Sequence, residues 1–194
     1  MKIQDVSIAR ENVRRYAWAQ AIVGEWKEEV VYAMEQGRGF FEEMISGLTM
    51  WSQYGQNCPV CVGRLSTMGE TGIYDWDVRD PDKLVCKYCK AVYPDAEYPE
   101  TGSVTAPRMG QTFTFYLTDE ERAHPEDTSG KYALKWISHP VHTSWSGVLR
   151  SKKAGWCYEL MGVLAKLYAV TCDVAYAERA AWIIDIMAQR YPNW

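Results

Sequence analysis

The chain has 194 residues, 47% of them hydrophobic, and a formal net charge of −4. That length suits one medium domain or a small domain carrying an insert, and so much apolar content rules out a disordered tail. The acidic balance argues against a general nucleic-acid or anionic-membrane surface, and no apolar run approaches the roughly 20 residues needed to cross a bilayer.

The opening segment, MKIQDVSIARENVRRYAWAQ, lacks the apolar stretch and small-residue cleavage site of a signal peptide. The expectation is a cytoplasmic chain as given, or a trimmed form of a secreted or periplasmic one. Residues 8–36 read as helix, with Ser7 as a cap and Tyr16, Ala19, Ile22, Val23, Trp26, Val30, Ala33 and Met34 at helical spacing. Gly24 is placed to kink or divide it, and the GRG at 37–39 ends it. A second helix is predicted over 40–54, with Phe40, Met44, Ile45, Leu48 and Trp51 on one side. From Gly55 to about Gly102 the helical period disappears, and Gly, Pro, Asp and Cys mark a compact insert of turns and short strands.

Residues 111–117, QTFTFYL, alternate Phe113, Phe115 and Leu117 with polar neighbours and predict a half-buried strand. Residues 119–131 read as loop, and YALKWI at 132–137 fits either helix or strand. The last third predicts an antiparallel helical hairpin. Leu160, Met161, Leu164, Leu167 and Tyr168 form one stripe in 155–171. Tyr176, Ala180, Ile183, Ile184 and Met187 form another after a turn at Cys172–Asp173. The division is thus 1–54 N-terminal helices, 55–102 insert, and 103–194 a strand and loop segment with the terminal hairpin.

Four of the six cysteines form two pairs, CPVC at 58–61 and CKYC at 86–89. Each pair predicts a tight knuckle whose amides point at the thiolates, so Cys58, Cys61, Cys86 and Cys89 can surround one ion tetrahedrally. Thiolate sulfur favours zinc over hard cations, and four protein ligands leave no open position, so the zinc is expected to be structural. Metal ligation would supply the folding energy that this core-poor segment lacks. Redox disulfides and an iron–sulfur cluster are the competing readings, but a redox CxxC sits at a helix N-terminus after a strand, which neither pair does. Cys157 and Cys172 read as thiols of the hairpin that behave as small hydrophobes. Of the three histidines, His139 and His142 flank Pro140 in the loop HPVHTSW, and His124 stands apart. A second metal there would need a carboxylate from elsewhere. No phosphate loop, HExxH helix or GxSxG elbow occurs.

CPVCVG, followed by YDWDVRDPDKLVCKYCKAVYPDAEYPETG, resembles the metal-binding insert near the N-terminus of many heparinase II/III-like polysaccharide lyases. ARENVRRYAWAQAIV resembles the opening helix of that family. LMGVLAKLYAVTCDVAYAERAAWIIDIMAQRYPNW is similar to the helix pair that begins its incomplete α/α-toroid, with Cys172 where a Gly is more usual. The likeness runs in order over residues 8–192. It implies a mainly α fold, helical hairpins of an incomplete toroid with a small zinc-ribbon-like β/turn insert. It also implies β-elimination on an acidic, uronic-acid-containing polysaccharide by a Tyr and a His borne on later toroid helices and a β-sandwich. The expectation is an N-terminal portion of such an enzyme that lacks the catalytic residues. His142, Trp145 and Trp156, in or beside the loop entering the hairpin, are the candidate substrate contacts. The alternative is a non-catalytic zinc-ribbon module binding protein or carbohydrate through Trp76, Tyr88 and Tyr98. A nucleic-acid role through Lys83, Lys87 and Lys90 is opposed by Asp75, Asp77, Asp80 and Asp82 in the same insert.

Overall fold

A computed structural model describes residues 3–48, 58–61, 73–106, 109–117, 119, 122 and 143–194. The fold is mainly α with small antiparallel sheets. It divides into a helical unit, Met1–Ser46 with Ala154–Pro192, and a cysteine unit, Gly47–Lys153 with Asn193–Trp194. Among the described residues, no helix is long and apolar enough to cross a membrane.

In the helical unit, α1 (Ile3–Arg15) packs against α2 (Ala17–Glu35), and α3 (Arg38–Met44) follows after Gly37. The helix predicted over 8–36 is therefore two helices, and the break falls at Tyr16 rather than Gly24. Tyr16 is extended (φ −121°, ψ 129°), and its carbonyl accepts from the amides of Ala19 and Gln20 at 3.1 and 3.2 Å. No Gly or Pro announces this turn. It accompanies a tertiary contact, since α1 folds onto α2 and Arg10 Nε donates to Ala169 O at 2.7 Å. Gly24 stays helical, and a Cβ there would meet nothing within 4 Å. Ser7 lies inside α1. The helix predicted over 40–54 begins earlier and stops at Met44, with Ile45 extended; 49–54 and the segment 132–137 lie outside the described residues.

The hairpin helices are α4 (Trp145–Thr171) and α5 (Val174–Arg190). Cys157, Leu160, Leu164 and Leu167 of α4 are buried, as are Ala180, Ile183, Ile186 and Met187 of α5. Phe41 of α3 stacks on Trp156 at 6.4 Å and lies 6.4 Å from Trp182. Three arginines satisfy carbonyls in the last turns of neighbouring helices, where no intrahelical donor reaches and the dipole favours a cation. Arg10 serves Ala169 in α4, Arg179 serves Met34 in α2 at 3.2 Å, and Arg190 serves Glu42 in α3 at 2.7 Å. The hairpin turn uses Cys172 in the left-handed region (φ 61°), and Asp173 caps α5 by accepting from the Ala175 amide at 3.0 Å.

In the cysteine unit, β1 (Tyr74–Asp75), β2 (Leu84–Cys86) and β3 (Val92–Tyr93) form an antiparallel sheet in that order. β4 (Gly102–Thr105) and β5 (Thr112–Phe115) form a hairpin that pairs Val104 with Phe113 and Gly102 with Phe115. The alternation predicted for 111–117 holds, because Phe113, Phe115 and Leu117 are buried while Thr112 and Thr114 are exposed. The first turns of α4 belong to this unit. Their buried residues, Trp145, Val148 and Leu149, serve this core, and the polar run Arg150–Lys153 separates that short stripe from the one over 155–171. Ser144 caps the helix by accepting from the Gly147 amide at 3.1 Å. Glu100 accepts from the Ser146 amide at 2.9 Å and from its hydroxyl at 2.7 Å.

Two glycine exchanges should act in opposite directions. Cys172→Gly relieves a side chain held at positive φ and is expected to raise stability by about 0.5–1 kcal/mol. Gly102→Ala places a methyl against the Phe115 ring and the Leu117 side chain and should cost about 1–3 kcal/mol. Urea midpoints of the two variants measure both. A destabilised Cys172→Gly protein would contradict the turn geometry.

Candidate metal centre

Each cysteine pair is a turn at the rim of the small sheet. In the first, the Cys61 amide donates to Cys58 O at 3.1 Å. In the second, the Lys90 amide donates to Cys86 O at 3.0 Å, with Lys90 in the left-handed region (φ 64°). Strand pairing brings the second knuckle into place, since Cys86 stands opposite Tyr74 and its amide donates to Ala91 O at 2.8 Å. The four Sγ atoms lie within 4.8 Å of one another and could hold a metal ion. Cys58 Sγ is 3.6 Å from Cys89 Sγ, and Cys61 Sγ is 4.0 Å from Cys86 Sγ. All six cysteines are free thiols. A disulfide needs sulfurs about 2.05 Å apart.

The predicted amide donors are present. The amides of Cys61 and Val60 donate to the Cys58 sulfur, and the Ala91 amide to the Cys89 sulfur. Burial pushes the Cys58 thiol up, against the Tyr93 hydroxyl and those amides, which favour its anion. Cys61 rises to about 12, first because it donates to Cys89 and then through burial. Cys89 falls to about 7, chiefly through the Ala91 amide and then through Cys61. One sulfur is thus ready to ionise near neutral pH, and a cation entering the cluster would draw the protons from the others.

Behind the sulfurs stands an aromatic wall of which the sequence points only to Trp145, and to that as a substrate contact. The Tyr93 hydroxyl is 3.2 Å from Cys58 Sγ, and the Tyr93 ring stacks on Trp145 at 4.7 Å with an interplanar angle of 3°. Trp145 Nε1 donates to the Tyr74 hydroxyl at 3.0 Å, and Tyr74 packs edge-on against Tyr93 at 5.7 Å. Burial raises both phenols above their ordinary range, so they stay neutral and serve as hydrogen-bonding groups. Such outer partners orient metal-ligating side chains. The alternation that turns Tyr93 inward and Val92 outward was the one available signal, and a two-residue strand carries it weakly.

Of the candidate substrate contacts, Trp145 is fully buried in the core of this unit. Trp156 is half-buried in the helical unit, between Phe40 and Phe41. His142 lies outside the described residues, as do His124 and His139. Cys157 is buried and its thiol is pushed up to about 12, whereas Cys172 is exposed. Comparison with family models, with curated proteins and with solved structures returns no match.

This geometry predicts a pattern of thiol reactivity. In metal-loaded protein, Ellman's reagent should modify Cys172 and spare the other five cysteines. Chelation should add Cys58, Cys61, Cys86 and Cys89, with Cys157 reacting only on unfolding. Rapid labelling of Cys157 in the native protein would contradict its burial.

Proposed function

We propose that the four cysteines hold one structural zinc ion, and that the chain is the opening part of a heparinase II/III-like polysaccharide lyase in which this zinc organises an insert. The sulfur geometry carries the zinc assignment. Tetrahedral Zn–S bonds of about 2.3 Å imply sulfur–sulfur edges of about 3.8 Å. The two separations of 3.6 and 4.0 Å bracket that value. Four thiolates complete the coordination shell, so the ion stabilises the fold and leaves no position for substrate or water. Metal analysis should find one zinc per chain. Cobalt substitution should give the visible and thiolate charge-transfer bands of a tetrahedral site. Cys58→Ala should unfold the cysteine unit while the helical unit keeps its far-UV signal; equal loss from both would count against a staple confined to one unit.

The lyase reading is supported by the ordered resemblance and by the division of the chain. The helical unit is built from residues 1–46 and 154–192, and most of the cysteine unit, residues 47–153, is inserted between these two stretches. That arrangement suits a toroid whose first hairpins are interrupted by a metal-stapled insert. The substrate would be an acidic polysaccharide cleaved by β-elimination, with the catalytic residues on later hairpins and a β-sandwich. The coding sequence beyond Trp194 is expected to supply both. A protein extended that far should release unsaturated uronate, read by absorbance of the new double bond, while residues 1–194 alone should release none. An immediate stop codon after Trp194 would remove the lyase reading and leave the zinc assignment standing.

One observation favours a second reading, a binding module for carbohydrate or protein. The open face of the small sheet carries a groove of about 470 Å³ floored by Val85 and Val92 and edged by Trp76, Asp75, Asp77, Asp80 and Lys83. The Trp76 indole is fixed by donating to Pro81 O at 3.0 Å, which suits a ring on which an apolar ligand face stacks. Glycan-array signal lost in Trp76→Ala, without turnover, would favour this module over the lyase.

A further inference from the structure

The outward face of the small sheet ends in charge. Strand pairing sets Asp75 beside Val85 and Val85 beside Val92, one row across β1, β2 and β3. Successive strand residues point to opposite faces, so this row lies away from buried Tyr74, Leu84, Cys86 and Tyr93. Trp76, Asp77, Asp80 and Lys83 complete the groove of about 470 Å³. Lys83 Nζ is 2.8 Å from Asp80 Oδ2, so these two charges offset each other. Among the described residues, Asp75 and Asp77 form no ion pair; Asp77 Oδ1 accepts only from the Arg79 amide, at 2.9 Å. Asp82 of the same turn is engaged by Lys153 at 2.5 Å and does not line the groove. Two uncompensated carboxylates therefore flank Trp76 in the chain, beside an apolar floor. The indole between them is held in place, because its Nε1 donates to Pro81 O at 3.0 Å.

We propose that this groove docks an arginine side chain of a protein partner. The aliphatic stem lies on Val85 and Val92, the guanidinium rests against the Trp76 ring, and its N–H groups donate to the Asp75 and Asp77 carboxylates. The inference rests on the binding-module reading of this groove, which it narrows to a protein ligand, and not on the lyase reading. Charge complementarity selects the occupant. A guanidinium is planar, stacks on aromatic faces and meets carboxylates with paired donors, whereas an ammonium supplies the charge without the flat face. Hydrogen bonds between two charged groups are roughly twice as strong as neutral ones. A neutral sugar can stack on the indole, but it would cover both carboxylates without a counter-charge, which is costly. A uronate would be repelled by them. A bare metal ion does not suit a groove floored by valines, whose volume falls within the roughly 300–1,000 Å³ of organic-ligand sites.

Fluorescence anisotropy on metal-loaded protein tests it, with a labelled glycine–arginine pentapeptide and the same peptide carrying citrulline, the neutral isostere, in place of arginine. The arginine peptide should bind about tenfold tighter than the citrulline peptide. Asp75→Asn should weaken it about fivefold, while Glu28→Gln, the same charge change on exposed α2 surface, should leave it unchanged. Because Asp75 is exposed, that variant should keep its far-UV signal and metal content. Trp76→Ala should abolish the preference for arginine over a lysine version of the peptide. Equal affinity for the arginine and citrulline peptides would overturn the inference, as would equal effects of Asp75→Asn and Glu28→Gln. Neutral-glycan binding lost in Trp76→Ala, without an arginine preference, would overturn it and leave the binding module standing. Binding of neither peptide nor glycan at about 1 mM would remove both.

Discussion

Four sulfur atoms held within 4.8 Å of one another are the constraint on which the cysteine unit depends. Its strands are two to four residues long, too short to be stable as isolated pairs. The sulfurs converge because β2 pairs with β1 and β3, and the knuckles in turn limit how that sheet can shift. The Tyr93 hydroxyl reaches Cys58, and the Tyr93 ring lies flat on Trp145. The first residues of α4 are thereby tied to the sulfur cluster through one hydrogen bond and one stacked pair. The same tryptophan is held from a second side, since its Nε1 donates to the Tyr74 hydroxyl at 3.0 Å.

The helical unit answers to a different physics. Its core is an ordinary stripe-to-stripe packing of aliphatic residues around Phe41, Trp156 and Trp182. What fixes its arrangement beyond apolar burial is the treatment of helix ends. Arg10, Arg179 and Arg190 each donate to a carbonyl in the last turn of another helix, so each neighbour is held at its C-terminus by a directional, charge-assisted bond. α4 contributes residues to both units, serving one core with Trp145, Val148 and Leu149 and the other with Cys157, Leu160, Leu164 and Leu167. The segment between them, Arg150 to Lys153, has no apolar residue to continue either stripe.

Cys172 shows how a local rule is met by an unexpected residue. The turn needs a left-handed position before the Asp cap, and a cysteine at φ 61° occupies it in place of glycine. Cysteine there is exposed, two residues before Val174, the exposed first residue of α5. The same helix carries the inward core of the unit and an exposed side on which Ile184 stands next to Asp185.

The sequence by itself determined the cysteine pairs that could hold a metal ion, the two hairpin helices and the strand over residues 112–115. Each of these is written in local spacing, whether CxxC, a 3.6-residue stripe or strict alternation. Only the tertiary structure decided that the first helix breaks at Tyr16, that α4 starts at Trp145, and that Tyr93 and Tyr74 back the sulfur cluster. Those outcomes arise between residues distant in the chain. Tyr16 carries no turn signal of its own, the start of α4 is capped by Glu100, and Trp145 meets Tyr93 and Tyr74 across the folds of the small sheet. A periodic pattern reports which residues share a face. What that face meets, and therefore whether a tryptophan packs in a core or lies open to solvent, is settled by the partners that folding brings to it.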